Sequence, residues 1–244
     1  MPAISVFTCS FNKPQYVGDA IRSVFAQTCT DWEYFVIENS TDDGVTNAVV
    51  QSFTHSQMQV IAANVSVWER KHRGVESLLK NTYTPRATGK YLFYLADDDV
   101  LAPTCFETHL RDFHEHPDHR MNYHYYYIDA REYDAQLPIK IAETAGSFWP
   151  ESGVFAPGES AKGRVDGGAA MFERVLLDAI PQPWWKLVKG DAHIHDGLLL
   201  NRLMAECNVS LYPIKEVLHT KRITPLTTHR EAYGRDIIPG RKAR

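Results

Sequence analysis

Three adjacent carboxylates, Asp97, Asp98 and Asp99, follow directly on the apolar run at residues 91–95. Side by side at a strand end they repel one another where water is scarce, and a bound divalent cation removes that cost. An oxygen-rich set of this kind suits Mg2+ or Mn2+. Such a cation would tie the protein to a diphosphate, neutralise its charge and stabilise it as a leaving group. The competing reading is a solvated turn in which Asp99 caps a helix. Arg70, Lys71 and Arg73 gather ahead of a helix expected from Val75. They could hold a diphosphate or simply form a solvated face.

The elements that must position these groups alternate in type. Residues 4–9, 34–37, 58–62 and 91–95 are short β-rich runs. Between them, Val17, Ala20, Ile21, Val24 and Phe25 recur at helical spacing, and helices are expected over 46–53 and 75–83. Strands alternating with helices imply a parallel sheet with right-handed crossovers, and ligands bind beyond the carboxyl ends of such strands. Three polar clusters fall at those ends: 10–13, 38–43 and 97–99. Further on, helices are expected over 106–114, 169–180 and 196–207, strands over 122–128 and 209–212, and loops over the Gly- and Pro-rich 142–168. We read 1–101 as a ligand-binding half and 102–223 as an acceptor-binding half of one domain, with 224–244 as a mobile tail.

Composition narrows the class. At 244 residues, 44% apolar and 23% charged, the chain can bury the core of one α/β domain. The net charge of -4 argues against a protein built to coat nucleic acid, although a local basic groove stays compatible with nucleic acid as an acceptor. Cys9, Cys29, Cys105 and Cys207 form no C-x-x-C pair, so we expect reduced thiols and no structural zinc. The opening segment reads as a strand and not as a secretory leader, and no run approaches the ~18 apolar residues of a membrane span. A soluble, cytoplasmic protein without stable membrane insertion is the expectation. The sequence sets no oligomeric state.

The opening ISVFTCSFNKPQYVGDAIRSVFAQTCTDWEYFVIENSTDDG and the segment GKYLFYLADDDVLAP resemble family 2 glycosyltransferases. The shared features are the S-[YF]-N turn, the I-x-S-[VI]-x-x-Q-T helix, the D-W-E lead into the second strand and the DxD region. The resemblance implies a GT-A (Rossmann-like) fold: a mixed, mostly parallel central sheet flanked by helices. It also implies an inverting transferase that takes a nucleoside-diphosphate sugar as donor, UDP first and dTDP second, with Mn2+ or Mg2+ as cofactor. The acceptor would be a glycan or another hydroxyl compound.

The resemblance implies roles by position. Phe11 would stack on the nucleobase, Asn12 belongs to the same turn, and Thr8 would meet the base through its backbone. Glu38 and Asn39 stand where the family usually has paired aspartates, Asn39 at the base edge. Arg70 and Arg73, from the basic cluster, could hold the diphosphate of such a donor or form a solvated face. Asp98 would be the main metal ligand, with Asp97 near the ribose or a metal-bound water and Asp99 near the donor sugar. Ala96 replaces the usual first Asp. Asp166, Gly167 and Gly168 match a loop that touches donor sugar and acceptor, where glycine would admit the sugar closely. His219 resembles a late histidine that completes the metal site in some relatives, and His229 competes with it.

Inverting transfer needs a general base for the acceptor hydroxyl. Asp196, with Arg202 six residues on, is favoured over Asp191, which lies in a G-D-A tripeptide shared with members of spore-coat polysaccharide synthesis. Trp149, Trp184 and Trp185 could form a sugar platform, but core packing is the plainer reading. A sugar-1-phosphate nucleotidylyltransferase would need a Gly-rich loop where this chain has SFNKPQ. A non-catalytic nucleotide-binding module is the remaining alternative.

Overall fold

Short runs of β-branched and aromatic residues, each followed by an amphipathic helix, bring three strand ends to one edge. The computed structural model describes residues 1–129, 148–149, 153–162, 164–187 and 195–222. Strand β1 (Ile4–Ser10) lies between β2 (Trp32–Glu38) and β4 (Tyr91–Tyr94), with β3 (Met58–Ala62) outside β2, all parallel. Side chains alternate across the sheet. Phe7, Phe35, Leu92 and Tyr94 enter one core, while Val6, Tyr34, Val36 and Phe93 enter the other. Helix α1 (Val17–Phe25) buries Val17, Ala20, Ile21 and Val24 on the second face. Helices α2 (Val45–Gln51), α3 (Val67–His72) and α4 (Val75–Tyr83) complete the first half. Gly89 allows the turn into β4, since a Cβ there would fall 2.6 Å from the backbone nitrogen of Ser5.

The second half continues the same sheet. It comprises β5 (Val100–Leu101), α5 (Cys105–Glu115), β6 (Met121–Asp129), β7 (Phe148–Trp149), β8 (Ala170–Glu173), α6 (Val175–Asp178), α7 (His195–Cys207) and β9 (Tyr212–Arg222). The order is β3-β2-β1-β4-β8-β6-β9-β5, with β7 on β6. The sheet is therefore mixed and flanked by helices, as expected.

Two expected elements are corrected. The helix expected over 169–180 is mostly β8, antiparallel between β4 and β6, and only Val175–Asp178 is helical. Met171 is buried in one core and Ala170 and Phe172 in the other; such a two-faced apolar run carries no period to separate strand from helix. The strand expected over 209–212 instead begins at Tyr212 and runs to Arg222. Its lysines and glutamate obscure the alternation, and register shifts against β6 between His124 and Tyr126 break it further. Arg70 and Lys71 lie within α3, which starts at a capping box of Ser66 and Glu69, ahead of α4. Among the described residues no helix is long and apolar enough to cross a membrane.

Candidate active site

The edge formed by β1, β2 and β4 is built by polar side chains that fold its loops. Asn12 adopts φ 50, a conformation asparagine tolerates, and its Oδ1 accepts from the Thr41 N–H at 2.8 Å. Its own N–H donates to Ser40 Oγ at 2.9 Å. Glu38 is buried and its Oε1 accepts from the Ser40 N–H, so it braces the turn. Asn39 donates from Nδ2 to the Ser10 carbonyl at 2.8 Å and accepts at Oδ1 from Arg70 Nη1 at 3.1 Å. One amide proton and one lone pair of Asn39 remain for a base edge.

Arg70 also donates to the Asn39 carbonyl and lies over the Phe11 ring, 5.2 Å from its centroid. Phe11 is 42% exposed, so its face is available for stacking. Arg73 ends α3 with its guanidinium over Trp68. The Thr8 hydroxyl is buried and accepts from the Tyr34 hydroxyl, which leaves only its backbone for the edge.

The acidic triplet is not a solvated turn, because Asp97, Asp98 and Asp99 are 4%, 4% and 1% exposed. Their surroundings differ. Asp97 accepts from the Phe11 N–H at 2.9 Å and from Lys13 Nζ at 2.8 Å, and Asp98 accepts from the same ammonium at 2.9 Å. Burial works against the Lys13 charge, but Asp97 and Asp98 outweigh it and hold its pKa up. Asp99 Oδ1 accepts from the Arg222 N–H at 2.9 Å. Among the described residues, Asp99 Oδ2 is buried with no hydrogen-bond partner, and so is His219 Nε2, 3.7 Å away. Burial pushes Asp99 up to about 7 against the charge of Lys221, with Asp98 and Asp166 adding to the rise. Burial also pushes His219 down to about 3, so its imidazole is neutral.

A carboxylate oxygen and an imidazole nitrogen, both buried, facing and unpartnered, make a donor set that a divalent cation fits. A mixed oxygen and nitrogen set favours Mn2+ over the more strictly oxygen-seeking Mg2+. Strand β9 supplies this side of the site. It pairs His219 with Leu101 of β5 and with Tyr126 of β6, which brings His219, Lys221 and Arg222 to the triplet.

The second wall holds the residues expected on the acceptor side. Asp166 caps a short turn at Gly167–Ala169 by accepting from the Gly168 N–H, and it pairs with Lys221 Nζ. Burial opposes the Asp166 charge, but Lys221 holds its carboxyl well below the usual range. Asp196 lies in the first turn of α7 and packs on Gly167, where a Cβ would fall 2.3 Å from Asp196 Cγ. A Cβ on Gly168 would lie 3.8 Å from Asp99 Oδ2. Gly167 is thus required by the carboxylate that rests on it, whereas a Cβ at Gly168 would press only on Asp166 Oδ1, at 3.2 Å.

Asp196 Oδ1 accepts from Lys80 Nζ at 3.0 Å and Trp185 Nε1 at 3.2 Å. Lys80, buried and also paired with Glu76, escaped the sequence reading, as did Lys221. Each is a lone lysine that only the tertiary fold brings to its carboxylate. Trp184 and Trp185 are core residues. His195 contacts Ser77 Oγ. Asp191, His193, His229, the Trp149 side chain and residues 224–244 lie outside the described residues.

Residues 5–179 match the model of glycosyl transferase family 2. Protein CgeD of Bacillus subtilis (strain 168) is 31% identical over 227 residues, covering 91% of this chain and 50% of CgeD. The crystal structure of S. aureus TarS 1-349 in complex with UDP-GlcNAc superposes with a TM-score of 0.65 at 16% identity, over 96% of this chain and 62% of that one. The mannosyltransferase PcManGT from Pyrobaculum calidifontis, in complex with GDP-Man and Mn2+, gives a TM-score of 0.61 at 14% identity, over 94% and 59%. The chain spans about half the length of CgeD and less than two thirds of the two solved chains. The solved structures share its GT-A arrangement of mixed sheet and flanking helices.

Proposed function

The chain belongs to glycosyl transferase family 2, and on that premise we propose that it transfers a sugar from a nucleoside-diphosphate sugar to an acceptor hydroxyl with inversion at the anomeric carbon. Phe11, backed by Arg70, stacks on the nucleobase, and Asn39 meets the base edge. Asn12 and Glu38 shape that pocket, and the Thr8 backbone closes it. UDP is the first choice of nucleotide and dTDP the second. Arg73 serves the diphosphate, and Asp97, tied to Lys13, fixes the ribose side of the edge.

Asp98, expected as the main ligand, already accepts from Lys13, so we assign the cation to Asp99, expected near the donor sugar, and to His219, with Asp98 beside them. Mn2+ there would neutralise the diphosphate as it leaves. Asp196 is the general base. Lys80 and Trp185 hold its Oδ1, which directs Oδ2 to the acceptor. The acceptor oxygen attacks the anomeric carbon, its proton passes to Asp196, and the bond to the diphosphate breaks with the electron pair on the leaving oxygen. Asp166 and the Gly167–Gly168 turn lie between the two carboxylate groups, where donor sugar and acceptor would meet. A glycan is the acceptor class we favour.

The observation that carries this reading is the buried pair of Asp99 Oδ2 and His219 Nε2, unpartnered among the described residues, in a triplet whose Asp97 holds the backbone of Phe11. A panel of nucleotide-sugars tested for Mn2+-dependent release of the nucleoside diphosphate tests it. Turnover of a UDP-sugar is expected. Binding of UDP with no turnover of any donor, across a range of glycan acceptors, would favour the non-catalytic module.

A further inference from the structure

Behind His219 runs a buried file of side chains that the proposed chemistry leaves without a task. His109 stands on α5, Asn122 and His124 on β6, and none of the three is measurably exposed. Their hydrogen bonds run in a single direction. Asn122 Nδ2 donates to Asp112 Oδ2 at 2.8 Å and to the His109 carbonyl at 3.3 Å, which fixes Asn122 Oδ1 as an acceptor. His109 Nδ1, 2.6 Å from that oxygen, must carry a proton. Burial keeps His109 neutral by pushing its pKa down to about 4, so its Nε2 is bare.

The same reasoning passes along the file. His124 Nδ1 lies 2.7 Å from the bare His109 Nε2 and must donate to it. His124 Nε2 is then bare, and His219 Nδ1, 2.8 Å away, must donate in turn. His219 Nε2 ends the file with a lone pair and no proton, facing Asp99 Oδ2.

We propose that His109 and His124 are positioning residues that lock His219 in its Nδ1–H tautomer, so that its Nε2 lone pair is presented to a divalent cation at Asp99. The proposal rests on the reading of Asp99 and His219 as cation ligands. A rival use exists for part of the file, since ligand atoms of Cys105, His109 and His124 lie within 4.8 Å of one another. Geometry decides against a metal among them. The 2.7 Å between His109 and His124 is a hydrogen-bond length, both nitrogens are already committed to it, and burial pushes the Cys105 thiol well up, away from thiolate.

Long-range 15N–1H correlation spectra of the imidazoles in the metal-free protein test the lock directly. A His219 ring protonated at Nδ1 alone is expected, and one protonated at Nε2 overturns the proposal even if no variant folds. Mn2+ binding, followed by electron paramagnetic resonance, supplies the second readout. His124→Leu is expected to weaken it by about 10–100-fold, the usual effect of losing a partner behind a metal ligand. His124→Gln, whose amide oxygen can accept from His219 Nδ1, should restore most of the affinity. If His219→Ala leaves Mn2+ affinity unchanged, the cation reading fails and the proposal with it. Affinity lost in His219→Ala but kept in His124→Leu overturns the proposal alone. Binding abolished by His124→Leu and spared by His219→Ala would place the ion among Cys105, His109 and His124 instead, and also overturns it.

Discussion

Asp196 rests directly on Gly167: a single added carbon at that glycine would sit 2.3 Å from the Asp196 carboxyl carbon. The carboxylate is held from its other side by Lys80 and Trp185, so it cannot retreat without breaking those bonds. Gly167→Ala is therefore expected to displace the base and lower kcat by about 100-fold, the scale of a 1 Å misplacement. Affinity for the free nucleoside diphosphate should change little. Steady-state kinetics check the fall in kcat, and a kcat within a factor of two of wild type would show that Asp196 can move freely.

Asp196→Asn keeps the shape and removes the basicity. Nucleotide affinity by calorimetry should be preserved while transfer falls by about 100- to 10,000-fold. Should Asp191→Asn give that pattern and Asp196→Asn not, the base is Asp191.

Phe11→Ala should weaken nucleotide binding by about 1–3 kcal/mol through lost stacking. Arg70→Ala should fall in the same direction, because Arg70 both covers the ring and holds Asn39. Titration of UDP into each variant measures it. Unchanged affinity in both would remove the nucleobase from this edge.

The strand ends that frame the candidate site are legible in the sequence. Residues 1–101 alternate cleanly between strand and helix, so the clusters at Ser10, Glu38 and Asp97 had to meet at strand ends. The supporting cations were not readable. Lys13 shares the acidic edge, but its hold on both Asp97 and Asp98 depends on the turn at Asn12. Lys80 and Asp196 are 116 positions apart and belong to different helices. The histidine file is drawn from α5, β6 and β9, and no spacing rule links positions 109, 124 and 219. β8 and β9 were misread because one is apolar on both faces and the other is interrupted by bulges.

The Asp166–Lys221 pair gives a pH signature. Lys221 holds the Asp166 pKa below its unfolded value of about 3.9. The pair's contribution is thus fully present above that pH and is lost as pH falls through the lower folded value. At neutral pH, Asp166→Asn removes the hydrogen-bonded partner of the mostly buried Lys221 and leaves it only the charge of Asp99, which should cost about 1.5–3 kcal/mol. Thermal unfolding of wild type and variant should show a Tm gap that is constant from pH 7 to 5 and narrows below about pH 4. A gap that widens in acid would reverse the assignment.

Anomalous diffraction at the manganese edge, from crystals soaked with Mn2+ and UDP, tests the central claim most directly. A peak within bonding distance of Asp99 Oδ2, His219 Nε2 and the diphosphate is the predicted result. Bound UDP with no peak at Asp99 and His219 would contradict it.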